Sequence, residues 1–307
     1  MKRLISILLF LFFTLRGLAL ATTYQDISDI GTSAGIIGLG NVSGFTESAS
    51  VLLENPGGLS IAGNSGSLFY TQLFGDISYF TGAVSFKLND RLTLGLGCIY
   101  EDDGSIDVTG ENDDGEAISS SVFNAHVAQY VVGMDYGLTP DYNLGLTWTQ
   151  YHRSQYTLEG NGGDLGIGFK SKFSWIDIIL FGKNVLGQKV SYNNNAYETL
   201  QTEIGVSFKT TPLDILGSPQ LFGQAKQLTQ TGILLKGAGV RFFPTQSDII
   251  GLNIGYKEKH RIGTTLRSLF CGGITLKLEG LMFEYGYDTT DIFQQENQHY
   301  FSLALTY

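Results

Sequence analysis

From residue 66 to the end, apolar residues alternate with small or polar ones at a period of two, in segments separated by turn-forming residues. That is the pattern of strands with one face in an apolar medium and the other facing away from it. The last nine residues show it most clearly. Phe301, Leu303, Leu305 and Tyr307 share one face, opposite Ser302, Ala304 and Thr306. Leu281, Phe283, Tyr285 and Tyr287 alternate in the same way with Met282, Glu284, Gly286 and Asp288. Near the start of the region, Leu92, Leu94, Leu96, Cys98 and Tyr100 lie opposite Thr93, Gly95 and Gly97. Counting such segments predicts about 14 strands: 66–74, 78–88, 91–102, 119–137, 143–159, 163–172, 175–184, 199–209, 218–227, 233–243, 248–258, 266–278, 281–288 and 298–307. Residues 22–64 lack the alternation, are rich in Gly and Ser, and read as short helices and loop.

Composition decides what medium the apolar faces meet. Charged residues make up only 16% of the 307 residues, against roughly 25% in a soluble domain. Past the N-terminus no apolar run reaches the ~18 residues of a spanning helix. The reading is therefore all-β: a transmembrane antiparallel β-barrel, lipid outside and lumen inside. The first 21 residues read as a signal peptide. Lys2 and Arg3 precede an apolar stretch over 4–15, and Ala19-Leu20-Ala21 supplies a small-x-small cleavage site. Export and closure together place the barrel in the outer membrane of a Gram-negative-type cell. The terminal strand ending in Tyr307 resembles the signal read by barrel assembly machinery, a partner alongside the lipid bilayer. The domains are then 1–21 signal peptide, 22–64 N-terminal segment and 65–307 barrel.

Short turns at Leu88-Asn89-Asp90-Arg91, Thr139-Pro140-Asp141-Tyr142-Asn143 and Leu278-Glu279-Gly280-Leu281 are assigned to the periplasmic end. The longer acidic stretches 101–118 and 187–199 are assigned to the outside as loops, with Trp148, Trp175 and many Tyr in the aromatic girdles. Net charge is −10, or −13 once Lys2, Arg3 and Arg16 leave with the signal, which excludes a nucleic-acid partner. Export makes a disulfide the first expectation for Cys98 and Cys271. Strand parity puts them on opposite faces of the wall, so they are expected to be free thiols.

The N-terminal segment contains Gly31-Thr-Ser-Ala-Gly35-Ile-Ile-Gly38-Leu-Gly40, an acidic and Ser-rich stretch from Glu47 to Glu54, and Asn55-Pro56-Gly57-Gly58-Leu59. These motifs resemble the N-terminal region of the FadL-type outer-membrane proteins, the long-chain fatty acid and hydrocarbon transporters, and of their PorV-like relatives. The family's motif is Asn-Pro-Ala-Gly-Leu, so Gly57 is a departure. Asn184-Val-Leu-Gly187 and the closing strands resemble the PorV-like pattern. The resemblance implies a 14-stranded barrel with the N-terminal segment folded into the lumen as a hatch, carried here by Gly35, Gly38, Gly40, Asn55, Pro56, Gly57 and Gly58. A lumen of that width is too wide for wall side chains alone to fill. It also implies passive uptake of hydrophobic small molecules such as long-chain fatty acids. The alternative is a PorV-like structural or secretion-associated barrel that binds partner proteins.

Candidate chemistry is sparse. His126, His152, His260 and His299 have no metal-ligand spacing, and no nucleophile elbow occurs. Neither catalytic residues, nor a metal, nor a cofactor are expected. The acidic run around 111–116 lacks EF-hand spacing and reads as solvated loop. Lys87, Arg241 and Lys277 fall on lumen parity and are the candidates for holding a ligand carboxylate. Gly95 and Gly97 are the candidates for a kink in the third strand, where the resemblance implies a side exit toward lipid.

Overall fold

The computed structural model describes residues 23–24, 27–73, 77–111, 117–215, 217–244, 248–260, 266–289 and 298–307; the signal peptide expected over 1–21 and much of the acidic 111–116 run lie outside them. Among the described residues there are seventeen strands. They are β1 (Thr23–Tyr24), β2 (Ser65–Leu73), β3 (Ile77–Lys87), β4 (Leu92–Glu111), β5 (Ala117–Thr139), β6 (Tyr142–Gln155), β7 (Leu158–Lys172), β8 (Ile176–Lys183), β9 (Lys189–Tyr192), β10 (Tyr197–Leu200), β11 (Glu203–Thr210), β12 (Gln220–Leu228), β13 (Ile233–Phe242), β14 (Ile250–His260), β15 (Leu266–Leu278), β16 (Leu281–Asp288) and β17 (Gln298–Thr306). Fourteen of them, β2–β8 and β11–β17, pair antiparallel with their neighbours. β17 returns to β2, with Phe301 opposite Tyr70 and Thr306 opposite Ser65, which closes the barrel. Closure leaves no strand edge unpaired in the hydrocarbon, where an unmet backbone group is costly.

The alternation predicted from sequence is the alternation observed. Leu68, Tyr70, Leu94, Leu96, Trp148, Ile254, Phe270, Phe283, Phe301 and Leu305 are exposed on the outer wall. A soluble protein would not carry so wide an apolar belt, and this is a transmembrane barrel of the outer-membrane kind. Inward residues on the same strands, such as Phe69, Thr81, Ile99, Gln129 and Thr275, are almost wholly buried. Tyr100, His126 and His152 stack in sequence on adjacent outward positions, with ring centres 5.9 and 5.7 Å apart, and account for two histidines as girdle residues. Cys98 and Cys271 are free, in agreement with their opposite faces.

Two stretches read as loop are strand. β4 and β5 pair as far as Glu111 and Ala117, with register shifts between Asp102 and Ser105 and between Val108 and Thr109. The 187–199 stretch folds as the β9–β10 hairpin. It pairs through β9 with Gly160 and Asn161 of β7, and through β10 with β1 in parallel. Val190 and Leu200 of this hairpin are buried in the same apolar cluster as Ile27, Leu53 and Tyr151, so it covers the outer end of the lumen.

Residues 27–64 fill the lumen with turns and three short helices, Ala34–Gly38, Val51–Glu54 and Leu59–Ala62. Ser33 caps the first by accepting from Ile36 N–H. Asn55 accepts from Gly57 N–H at 3.0 Å, and Pro56 sits at the first position of the following turn. Leu52, Leu53 and Leu59 pack against inward Phe69, Tyr79, Ile99, Tyr151 and Tyr300. Each such leucine contributes on the order of 1.5–3 kcal/mol by burial.

The hatch lies directly on the wall backbone where the wall is glycine. A Cβ on Gly145 would stand 2.1 Å from the Pro56 carbonyl oxygen, and one on Gly168 would stand 2.3 Å from Gly57 N. No real side-chain carbon fits at those distances without displacing the hatch. Gly145→Ala and Gly168→Ala are therefore expected to leave the barrel folded but unseat the Asn55–Gly58 turn, at about 1–3 kcal/mol each. Ion conductance in planar bilayers should rise and amide exchange of the hatch should accelerate. Gly66→Ala, whose Cβ meets nothing closer than 3.9 Å, should change neither.

Candidate functional site: the hatch and the luminal wall

Three groups of hydrogen bonds join hatch and wall at separate places, beside an ion pair described below. In the first, Glu284 on β16 accepts from Gly35 N–H at 3.2 Å and from Ser302 Oγ–H at 2.8 Å, while Ala34 N–H donates to Ser302 Oγ at 3.2 Å. Tyr79 and Thr81 on β3 donate to the carbonyls of Gly31 and Thr32, both at 2.9 Å. These bonds satisfy the first turn of Ala34–Gly38, which otherwise would carry orphan N–H groups into the lumen. In the second group, Ser43 donates from N and Oγ to Gln224 Oε1 at 2.9 and 2.6 Å, and Ser207 donates to the Ser43 carbonyl at 2.9 Å. Gly40, at φ +74°, lies against the backbone of β13 and β14; a Cβ there would be 2.3 Å from the Tyr256 carbonyl oxygen. In the third, Asp135 accepts from Ser60 N–H at 2.9 Å and from Asn143 Nδ2–H at 3.0 Å.

Glu54 ties the hatch to itself. Its carboxylate accepts from Thr32 Oγ1 at 3.0 Å, Thr46 Oγ1 at 2.6 Å and Gly44 N at 3.0 Å. One side chain thus joins three separated turns. Burial pushes its carboxyl up from an ordinary 4.5 to about 7, although these three donors work to lower it. Two small cavities flank Glu54. One, of about 20 Å³, is lined by Leu52, Gln129, Thr147, Gly166, Lys183 and Asn184 among others. The other, of about 50 Å³, includes Asn41, Ser43, Phe181, Glu203, Gln224 and Lys226. They have room for a few water molecules and not for a hydrocarbon.

The residues singled out by sequence separate in the structure. Gly35, Gly38, Gly40, Asn55, Pro56, Gly57 and Gly58 all lie buried in the lumen. Lys277 ion-pairs with Glu47 of the hatch at 2.6 Å. That bridge is partly solvent-exposed and is worth little by itself. Glu47 loses some acidity to burial, but Lys277 outweighs this, with help from Arg241 and Lys209, and its carboxyl lies below the ordinary value. Arg241 is buried; its Nε donates to Asn253 Oδ1 at 2.9 Å, and its guanidinium lies 5.8 Å from the Phe222 ring centre. Lys87 is the last residue of β3 and pairs with exposed Asp90 of the following turn at 3.2 Å, so it belongs to the rim and not to a luminal site. The expected kink at Gly95 and Gly97 is corrected: pairing to β3 and β5 runs through both without a shift. Glycine is used there for a different reason. A Cβ at Gly97 would meet Leu53 at 2.8 Å and one at Gly95 would meet Leu52 at 3.0 Å.

A break in the wall does occur elsewhere. β7–β8 pairing stops at Ile167 opposite Gly182, and β7 is next paired at Asn161. Across the gap, Val185 N–H donates to the Leu165 carbonyl at 2.9 Å, and fully buried Asp164 accepts from Leu186 N–H at 2.9 Å and Gln188 N–H at 2.8 Å. Asn184, at φ +53°, turns the chain out of β8 and is held by Tyr151 Oη–H at 2.7 Å. The Asn-x-x-Gly motif thus marks where the strand ends and a carboxylate takes over the ladder. Among the described residues no group of three or more metal-ligating side chains occurs.

No family model matches the chain, and no curated protein does. Solved structures do. The Ralstonia pickettii toluene transporter TbuX superposes with a TM-score of 0.59 at 10% identity, covering 89% of this chain and 97% of that one. The P. putida toluene transporter TodX gives 0.59 at 11%, covering 90% and 99%. A Pseudomonas aeruginosa FadL homologue gives 0.56 at 10%, covering 92% and 98%. The fold is that of the FadL-type channels. At these identities the fold is what is shared, and the likeness is to the FadL-type proteins, not to the PorV-like branch that the strand-ending motif suggested.

Because the hatch holds its proton more tightly when Glu54 is buried, closure is strongest below pH 4.5 and weakens as pH rises toward 7. The change amounts to about 3 kcal/mol at most. Amide exchange of residues 27–64, corrected for intrinsic rates, is expected to show less protection at pH 8 than at pH 5. Glu54→Gln should flatten that dependence while lowering protection throughout, since its NH₂ would oppose Gly44 N–H.

Proposed function

We propose that this protein is an outer-membrane channel for passive uptake of hydrophobic small molecules, with long-chain fatty acids as the substrate class to test first. One observation carries the reading. A closed barrel with the FadL-type fold has its lumen occupied by its own N-terminal segment, with residues 31–59 of that segment almost all buried, where a general diffusion porin needs an open aqueous path. A plug held by hydrogen bonds and small-residue contacts can shift as a unit, whereas a water-filled pore would admit any small solute. Two of the solved structures that share the fold are named as toluene transporters, and toluene is an apolar molecule, which supports the same class here.

A second reading is a barrel that serves partner proteins. The observation in its favour is the long β4–β5 hairpin, 20 and 23 residues, standing beyond the shorter β8 and β11 of 8 residues each. The likeness to the channel branch puts transport first.

The test is uptake by the refolded mature barrel in liposomes. A fluorescent long-chain fatty acid should enter faster than into empty liposomes, saturably, and unlabelled fatty acid should compete. A hydrophilic sugar of similar mass should not enter. Uptake no faster than in empty liposomes, with a barrel shown folded by its heat-modifiable gel mobility, would move the assignment to partner binding.

A further inference from the structure

Two strands run on where their neighbours stop. Among the described residues, β3 meets β4 no further than Ser78 opposite Asp102, and β6 meets β5 no further than Gln155 opposite Ala125. β4 and β5 go on pairing with each other, from Ser105 opposite Asn124 to Glu111 opposite Ala117. At ~3.4 Å per residue this ribbon reaches roughly 25 Å past the wall. A two-stranded ribbon alone in water is marginal, and a third strand over an apolar face is what makes such a unit stable. The ribbon has that face. Ile106 lies opposite Phe123 and Val108 opposite Ser121, and Ile106, Val108 and Phe123 are each only half-buried. Tyr156 of the β6–β7 turn meets Phe123 edge to face at 5.3 Å and closes the foot of this face. The other face carries Asp107 opposite Val122 and Ser105 opposite Asn124.

The two edges of the ribbon differ. An open edge is a template for a further strand, and proteins blunt it with charge or proline. The β4 edge carries Asp103, Asp107 and Glu111. The β5 edge, Ala117-Ile-Ser-Ser-Ser-Val-Phe-Asn124, carries neither charge nor proline. One extra residue, Ser120, bulges between Ser119 and Ser121 and leaves Ser121–Asn124 regular. Charge then selects what can lie there. From Leu92 to His152 the chain has no Lys or Arg, and residues 101–116 contain eight Asp and Glu. A second copy would bring the same acids against these. A strand with a cationic polar face is drawn to them.

We propose that the β5 edge over 117–124 accepts an extended segment of an extracellular protein or peptide as a third strand. Its apolar residues lie on the Phe123 face and alternate with Lys or Arg on the Asp107 face. Main-chain hydrogen bonds to the edge give affinity, and the alternating side chains give selectivity. This rests on the partner reading and not on the channel reading, and one barrel can serve both.

The probe is a fluorescent synthetic peptide of alternating Lys and Val, titrated against the mature protein in phosphatidylcholine nanodiscs and read by anisotropy, with protein-free nanodiscs as the blank. Saturable binding is expected, weakening as salt is added. It should be absent for the same peptide N-methylated on alternate residues, and for a Glu–Val counterpart. Val122→Lys sets a cation on the Asp107 face of the edge and should weaken binding about tenfold or more, while fatty-acid uptake in liposomes keeps its wild-type rate. Replacing residues 105–124 by Asn-Gly should abolish binding, with heat-modifiable mobility showing that the barrel is folded. Equal binding of the N-methylated or the Glu–Val peptide, or binding retained without the ribbon, would overturn the proposal. So would a wild-type dimer in detergent that Val122→Lys dissociates, since the edge would then belong to a second copy. The uptake assay decides the channel reading separately, whichever way the peptide result falls.

Discussion

The lumen depends on how closely two backbones approach. At Gly145, Gly168, Gly239 and Gly255 of the wall, hatch atoms from Leu39, Gly40, Pro56 and Gly57 occupy the space a Cβ would need. Glycine weakens a strand because it has no side chain to pack, and here that deficit is used. Barrel closure by antiparallel pairing supplies the stability that each glycine gives up locally. The freed volume lets a hatch of short turns, whose own helices are too short to stand alone, take its shape from the wall. Wall and hatch are therefore one folding problem.

Polar groups follow from that proximity. A hatch made of turns carries many N–H and C=O groups with no ladder of their own, and in a closed lumen each needs a partner. The wall supplies Tyr79, Thr81, Asp135, Ser207, Gln224, Glu284 and Ser302 from six different strands. These bonds are spread around the barrel and no single one carries the plug. Such a seal can resist water yet loosen when several contacts are exchanged together. Glu54 is the exception, because it joins the hatch to itself and sits between the two cavities.

The fourteen barrel strands, the inward and outward faces, the free thiols and the N-terminal hatch were all legible in the chain. A strand in a closed barrel has only two faces, and lipid against lumen enforces a strict period of two. Parity alone also put Arg241 and Lys277 inside. Lys87 shows the limit of parity: the rule gives a face, and height along the strand decides whether that face is lumen or rim.

Other features had no signature in sequence. Gly95 and Gly97 read as a kink because glycine in a strand is equally consistent with a bend and with a neighbour pressed against it, and only Leu52 and Leu53 in place distinguish the two. The break between β7 and β8 has no special composition, since β7 is rich in glycine throughout; it exists because β8 ends at Lys183 and Asp164 can take up the stranded N–H groups. The β9–β10 cover and the extended β4–β5 hairpin were hidden in polar stretches that alternate poorly, as strands do when neither face meets lipid. Sequence by itself determined the barrel, because a hydrophobic medium imposes its periodicity on every crossing. How the hatch seats on the wall, which acids and cations pair and where the wall opens its ladder were decided by tertiary structure, because those depend on residues far apart in the chain meeting across the lumen.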